Sequence, residues 1–276
     1  MSRSGDRSRG KSRTFAGNHQ RSWLWGRHAV EETLAGGRWP VLSLTIDEQR
    51  RSDFSDLMQS AEQSGLRFDF ASPERLTQLC GSSDHQGVII RLGEFPCFDL
   101  TDLRQSASDA LVAPRTSASA VTTAGFQPMY VLCDRIQDAH NFGAILRCCD
   151  AMAANGVIIG SSQQATPTPH VARSSAGAVN HIDLFRVDCL VEAVEQMAQL
   201  GFAIVGATEK TQQSLWECNL RQPVVLVVGT ESTGIGTELL QRCSTQVAIP
   251  MMGRVNSLNA AVAVGILLAE IRRQQH

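Results

Sequence analysis

The sequence predicts an α/β protein in two parts, a small N-terminal α/β domain and a larger C-terminal domain built on a parallel sheet. Three observations lead there. From residue 129 onward, short apolar runs alternate with helix-length stretches, the spacing of strand–helix–strand units. The run Val224-Val225-Leu226-Val227-Val228 is apolar at every position rather than every second one, which marks a strand covered on both faces and hence a parallel sheet. Between this region and an earlier, shorter alternation lies 113–125, composed mostly of Ala, Ser, Thr and Gly and poor in anything that anchors a core.

Taken in order, residues 1–22 set Arg3, Arg7, Arg9, Lys11, Arg13 and Arg21 against a single acid, Asp6. Such a segment buries too little apolar surface to offset its ordering entropy, and it is read as a disordered basic tail. Its charge suits an arm laid on nucleic-acid phosphates. An organelle transit peptide is the other reading, disfavoured because Phe15 and Ala16 are too few to build an amphipathic face.

Over 23–94 the expected elements are a helix at 27–34 stopping at Gly36-Gly37, a strand at 41–46 and a helix at 54–63. A strand at 68–70, a helix opening at Ser72-Pro73 and a strand at 88–92 complete the domain. Pro73 suits the first helical position, where its missing amide hydrogen would go unpaired anyway. His85 and Gln86 read as loop hydrogen-bonders rather than as chemistry. Residues 95–127 form a linker with one short helix at 99–111, and 128–276 form the second domain. Its strands are expected at 129–133, 156–159, 202–206, 224–228 and 247–249. An open parallel sheet binds its ligand outside the carboxyl ends of its strands, which selects 138–141, 207–208, 229–234 and 250–253 as crevice lining.

The chain has 276 residues, a formal net charge of −2 and 43% hydrophobic residues, so it is globular and draws polyanions only through local patches. Its eight cysteines are scattered, without metal-ligand spacing or a disulfide framework. No stretch reads as a membrane span or a signal peptide, and the expected location is the cytoplasm.

The last stretch, 247–273, stops its strand at Pro250 and crosses a loop holding Gly253. Asn256 or Ser257 is expected to cap a helix over 258–271 that is apolar on nearly every face and so buried on all sides. Arg272 and Arg273 complement the negative end of its dipole. Ser257 and Asn259 stand at the mouth of this helix, either as a cap and a satisfied core amide or as a ligand-facing pair. Upstream, the turn GTESTGIG carries Glu231 directly after the buried strand. Its glycines have P-loop spacing, yet Ile235-Gly236 replaces the Lys-Ser/Thr that would reach phosphate and magnesium. The glycines here are expected to let backbone approach a ligand closely. In CDRIQDAHNFGAILRCCD, Asn141 closes a polar loop and Arg147 follows on a helix between Leu146 and Cys148, where an unpaired buried charge would be costly.

These three stretches, in this order, resemble the three motifs of the SpoU family of RNA 2′-O-ribose methyltransferases. WGRHAVEETL at 25–34 and HQGVII at 85–90 resemble the substrate-binding domain of the branch that methylates a guanosine of large-subunit ribosomal RNA. The resemblance implies a C-terminal methyltransferase domain with a trefoil knot, structured RNA as substrate, a homodimer and no metal. It implies S-adenosyl-L-methionine as methyl donor, held by Gly229, Ile249 and Leu258. It gives Arg147 the activation of the ribose 2′-hydroxyl, with Asn141, Glu231, Ser257 and Asn259 as the polar wall that orients it. Glu231 as a general base, and Glu231 as an acceptor of loop amides and of Arg147, both stay open. Ala139 stands where the family usually has Pro, and Thr230 replaces a common Asn. A transfer-RNA enzyme of the same chemistry and an RNA-binding protein without catalysis are the rival readings.

Overall fold

The computed structural model describes residues 22–112 and 126–276, so the basic tail and the Ala- and Ser-rich stretch expected at 113–125 lie outside the described residues, Ser22 apart. The first unit runs β1 (Trp23–Trp25), α1 (Arg27–Gly36), β2 (Val41–Asp47), α2 (Ser55–Ser64), β3 (Phe68–Ala71), α3 (Pro73–Cys80) and β4 (Val88–Leu92). Its sheet has the order β1-β4-β2-β3, with β4 antiparallel to both neighbours and β3 parallel to β2. Every expected element is present; β1 is an addition, three residues being too short to show a period. Gly65 and Gly81 end α2 and α3 at φ of 68° and 73°, a region costly for any residue with a Cβ. His85 is a buried loop hydrogen-bonder, its Nδ1 accepting from the Gly87 amide at 3.0 Å.

The second unit runs α4 (Leu100–Val112), β5 (Met129–Cys133), α5 (Ala139–Ala151), β6 (Gly156–Gly160), α6 (Pro169–Ser174), β7 (Leu184–Val187), α7 (Leu190–Gln199) and β8 (Ala203–Ala207). It closes with β9 (Val224–Val228), α8 (Thr237–Gln241), β10 (Thr245–Val247) and α9 (Ala260–Gln275). All six strands are parallel, in the order β10-β8-β9-β5-β6-β7. The unbroken burial of β5 and β9 follows from cover on both faces. Met129, Val131 and Cys133 point to the α5 and α9 side, while Tyr130 and Leu132 point to the side of α4, α7 and α8. Each such side chain contributes about 1.5–3 kcal/mol of transfer free energy, which fixes the register of the central strands.

Three expectations are corrected. A sixth strand, β7, escapes the sequence reading because Arg186 interrupts a four-residue edge strand, where one side chain can face water. The last strand is 245–247 rather than 247–249, since Ala248 leaves the sheet to pair with Ser214 in the β8–β9 connection. The helix foreseen inside the linker packs Leu103 and Ala107 beside Tyr130 and Phe185, so this part of 95–127 belongs to the second unit's core.

The two units share a core cluster and a polar seam. Arg38 donates to the Ile182 carbonyl at 2.8 Å and pairs with Asp183, while Asn180 Nδ2 donates to Thr33 Oγ1 at 3.3 Å. Beyond β10 the chain turns back to lay α9 against α5, with the β8–β9 connection on its other side. There the Leu220 amide donates to Gln274 Oε1 at 2.8 Å, and Gln274 Nε2 donates to the Cys218 carbonyl at 3.0 Å. Arg272 and Arg273 stand in the last turn of α9, as expected, and Arg272 is buried there, donating to the carbonyls of Gln127, Met152 and Ala153 at 2.7–2.9 Å. Burial pulls its pKa down to about 10. All eight cysteines are free thiols.

Candidate active site

The crevice forms where the expectation placed it, at the carboxyl ends of β8, β9 and β10. Its cavity of about 130 Å³ is lined by Ala207, Thr208, Val228 to Glu231, Gly234, Val247, Ile249, Met251 and residues 256–258, with Ala260, Ala263 and Leu267 from α9. Gly229, Ile249, Ser257 and Leu258, all singled out in the sequence, therefore share one cleft. The 138–141 loop does not line it directly, and residues 252 and 253 stand clear of it.

The turn after β9 folds back on itself, Thr230 bridging Gly234 through the Gly234 amide at 2.9 Å from the Thr230 carbonyl. A Cβ on Gly229 would lie 2.2 Å from the Gly234 carbonyl carbon and 2.4 Å from the Ile235 nitrogen. Gly229 thus allows the turn to close on its own backbone, a different reason from the close ligand approach expected of it. The turn is held from beneath by Asp134, whose Oδ2 accepts from the Gly236 amide at 2.7 Å and from Arg135 Nη2 at 3.0 Å. Arg135 also donates to the Gly234 carbonyl at 3.3 Å, and it takes φ of 60°, a strained value for a residue with a side chain. Sequence reasoning missed this pair, although an Asp directly after β5 was the available signal.

The polar wall assembles around Glu231. Its Oε1 accepts from Asn141 Nδ2 at 3.1 Å, from Asn259 Nδ2 at 2.8 Å and from the Ala260 amide at 3.0 Å. Asn259 Nδ2 also donates to Asn141 Oδ1 at 2.8 Å, so all three motifs meet in one network. Asn141 is placed by the cap of α5, where Asp138 Oδ1 accepts the Asn141 amide at 2.7 Å. The helix cap at α9 is Asn259, not Asn256 or Ser257: its Oδ1 accepts from the amides of Ala261 and Val262 at 3.0 and 3.4 Å. One side chain therefore both caps α9 and donates to Glu231.

Two expectations about charge are overturned. Arg147 is not among the hydrogen-bond partners of Glu231, which is itself exposed. Arg147 is exposed too, on the open side of α5 with His140 and Ala144, spaced i, i+4 and i+7. Six positions separate it from Asn141, about 9 Å along the helix axis, and among the described residues it has no hydrogen bond or ion pair. Nor is α9 covered on all sides, as Val262 is 52% exposed.

The amides of Gly229, Ile249 and Leu258 have no hydrogen-bond partner among the described residues. Three half-buried free donors in an apolar-walled cleft suit a flat, acceptor-edged base, and nothing in the cleft offers a cation for phosphates. Among the described residues no cluster of His, Cys, Asp or Glu is suited to a metal ion, and no helix is long and apolar enough to cross a membrane.

Comparison with known proteins agrees with this architecture. Residues 128–269 match the SpoU rRNA methylase family, and residues 23–96 match the RNA 2′-O ribose methyltransferase substrate-binding domain. A putative TrmH family tRNA/rRNA methyltransferase of Staphylococcus haemolyticus is 30% identical over 91% of this chain and 95% of its own length. The Bacillus subtilis protein YacO, of the same putative description, is 28% identical over 94% of this chain and 98% of its own. Among solved structures, the SpoU methyltransferase AviRb from Streptomyces viridochromogenes, in complex with AdoMet, superposes with a TM-score of 0.71 at 26% identity, covering 91% of this chain and 89% of that one. With a matched methylase domain, a matched substrate-binding domain and a site in which three separated motifs converge, this chain belongs to the SpoU family of S-adenosyl-L-methionine-dependent RNA methyltransferases.

Proposed function

We propose that this protein methylates the 2′-hydroxyl of a ribose in structured RNA, the substrate being a guanosine of large-subunit ribosomal RNA. The observation that carries the reading is the single network joining Asn141, Glu231 and Asn259 at the edge of the cleft holding Gly229, Ile249 and Leu258. S-adenosyl-L-methionine supplies a sulfonium-bound methyl carbon open to displacement by oxygen. The free amides of Gly229, Ile249 and Leu258 hold the donor's base, and the apolar side of α9 keeps water from it. Arg147 donates to the 2′-oxygen and stabilises the charge developing there. A guanidinium stays protonated, so the hydroxyl proton leaves to a neighbouring phosphate or to water. Glu231 organises the site: its Oε1 already takes three donors that tie the motifs together, which favours the structural role over that of general base. Ser257 faces the cleft from the loop before α9.

The match of 23–96 supports the ribose 2′-hydroxyl as acceptor and RNA as partner. The same reading gives 1–22, 23–94, 95–127 and 128–276 the roles of tail, substrate-binding domain, linker and methyltransferase domain, in the cytoplasm. It makes the C-terminal segment a trefoil knot, supported by the course of α9 between α5 and the β8–β9 connection. It also makes the protein a homodimer, since Val262, Met252 and Val255 expose 52%, 90% and 63% of their surface beside the site, apolar area that a second copy would cover. The test is to incubate the purified protein with S-adenosyl-L-methionine and unmodified large-subunit ribosomal RNA, then map 2′-O-methyl positions. A new mark at one guanosine supports the reading. Methylation of transfer RNA alone would replace the substrate, and donor binding without transfer to either RNA would replace the activity.

A further inference from the structure

The seam between the two units carries a row of flat side chains that the site described above does not use. Trp25 ends β1 in the substrate-binding unit. Its ring centroid lies 6.4 Å from that of His170 on α6, and the His170 ring lies 5.4 Å from His140 on α5. The Arg173 guanidinium sits 4.4 Å from the centre of the Trp25 ring. Four π-faced groups thus run from the substrate-binding unit to the residue next to Asn141.

Trp25 packs one side against the buried cluster of Trp23, Leu76 and Ile89, while the other three groups stand outside the core. The ring pairs are tilted by 52° and 55°, so neither pair stacks on itself. His140, His170 and Arg173 are all exposed, and Trp25 is half-buried. Among the described residues neither histidine has a hydrogen bond or an ion pair to occupy it. Packing does not account for three exposed flat groups lined up on one seam. Unpaired nucleotides are recognised by stacking of their bases on such rings and on arginine planes, a contact that tolerates any base because every base has a π-face.

We propose that Trp25, Arg173, His170 and His140 form a stacking platform for unpaired bases flanking the target nucleotide, leading them from the substrate-binding unit to the catalytic wall. The proposal rests on the RNA reading above and deepens it. It identifies the recognised element as single-stranded, a loop or bulge, because paired bases have no free face to offer. His140 has a second placement argument: it shares the open side of α5 with Arg147, so a base on its ring brings the neighbouring ribose along that same helix face.

The test uses the full-length protein and a fluorescein-labelled ten-nucleotide RNA without secondary structure, its affinity read by anisotropy. The variants are the doubles His140→Ala/His170→Ala and His140→Phe/His170→Phe, both at exposed positions that leave the core untouched. The Ala pair should weaken binding roughly tenfold to hundredfold, from the worth of one or two stacked bases. The Phe pair, which keeps the flat faces and removes any charge, should bind within about threefold of wild type. A 4-thiouridine version of the RNA should crosslink to the peptide containing His170. Wild-type affinity in the Ala pair would overturn the platform and leave the RNA methyltransferase reading standing. Equal loss in the Ala and Phe pairs would overturn stacking as its basis. Failure of the wild-type protein to bind any RNA would remove both.

Discussion

Asn259 performs two jobs with two atoms, and substitution can separate them. Its Oδ1 caps α9, while its Nδ2 donates to Glu231 and Asn141. Asn259→Ala removes both: about 1 kcal/mol for the lost cap, and about as much again for hydrogen bonds at an exposed site, where water partly replaces them. A loss of about 2 kcal/mol in a chain of this length lowers Tm by roughly 4–8 °C. Asn259→Asp keeps the cap, since Asp is as good an N-cap and is favoured by the helix dipole. It also places a carboxylate where an amide donated to Glu231 at 2.8 Å, so the wall is pushed apart by like charges. The Asp variant should therefore melt closer to wild type than the Ala variant, yet lose at least as much single-turnover methyl transfer, tenfold or more. Thermal unfolding, donor binding by calorimetry and single-turnover rates on the three proteins settle it. An Asp variant that methylates at the wild-type rate would show that the Asn259–Glu231 hydrogen bond is only structural dressing.

Arg147→Ala should cut the single-turnover rate on the order of a hundredfold or more while leaving calorimetric donor affinity near wild type, and Arg147→Lys should restore little, lacking the planar fork. A donor-affinity loss as large as the rate loss would remove the catalytic role. Gly229→Ala should lower donor affinity at least tenfold, because its Cβ would fall 2.2 Å from the Gly234 carbonyl carbon; Gly253→Ala, whose Cβ meets nothing within 4 Å, is the matched control. For Glu270, the hydrogen bond from Arg273 holds the carboxyl below its ordinary value of 4.5. A depressed carboxyl stabilises the fold fully above the unfolded value and loses that contribution as pH falls through the folded one. The Tm gap between wild type and Glu270→Gln should thus be full at neutral pH and close below about pH 4.5. A gap independent of pH would assign it to packing instead.

The central sheet was legible because every residue of β5 and β9 is apolar, and only two-sided burial writes that pattern. β7 was not, since an edge strand with an exposed Arg186 has no period to read in four residues. The cleft residues were legible at the level of motifs, as Gly229, Ile249, Ser257 and Leu258 all line one cavity. What spacing could not carry was exposure and partner choice. Arg147 between two apolar neighbours reads as buried, yet on a helix the adjacent residue points 100° away, and here that direction is solvent. Likewise Asn256, Ser257 and Asn259 are equally good caps by composition, and only the long-range pull of Glu231 and Asn141, 28 and 118 positions away from Asn259, singles out the last.

The clamp made by Arg272 bears on how such a chain comes to be folded. Its guanidinium closes on carbonyls 119 to 145 residues earlier, and the cleft itself is lined by residues up to 267. Neither the clamp nor the cleft exists until the last helix has emerged from the ribosome. Contacts of such sequence separation are slow to form, because loop-closure entropy is lost before they reward it. During synthesis the side of α5 that α9 covers must wait for it, although α6 already packs on α5, and that interval is when the growing chain is most open to association with its neighbours.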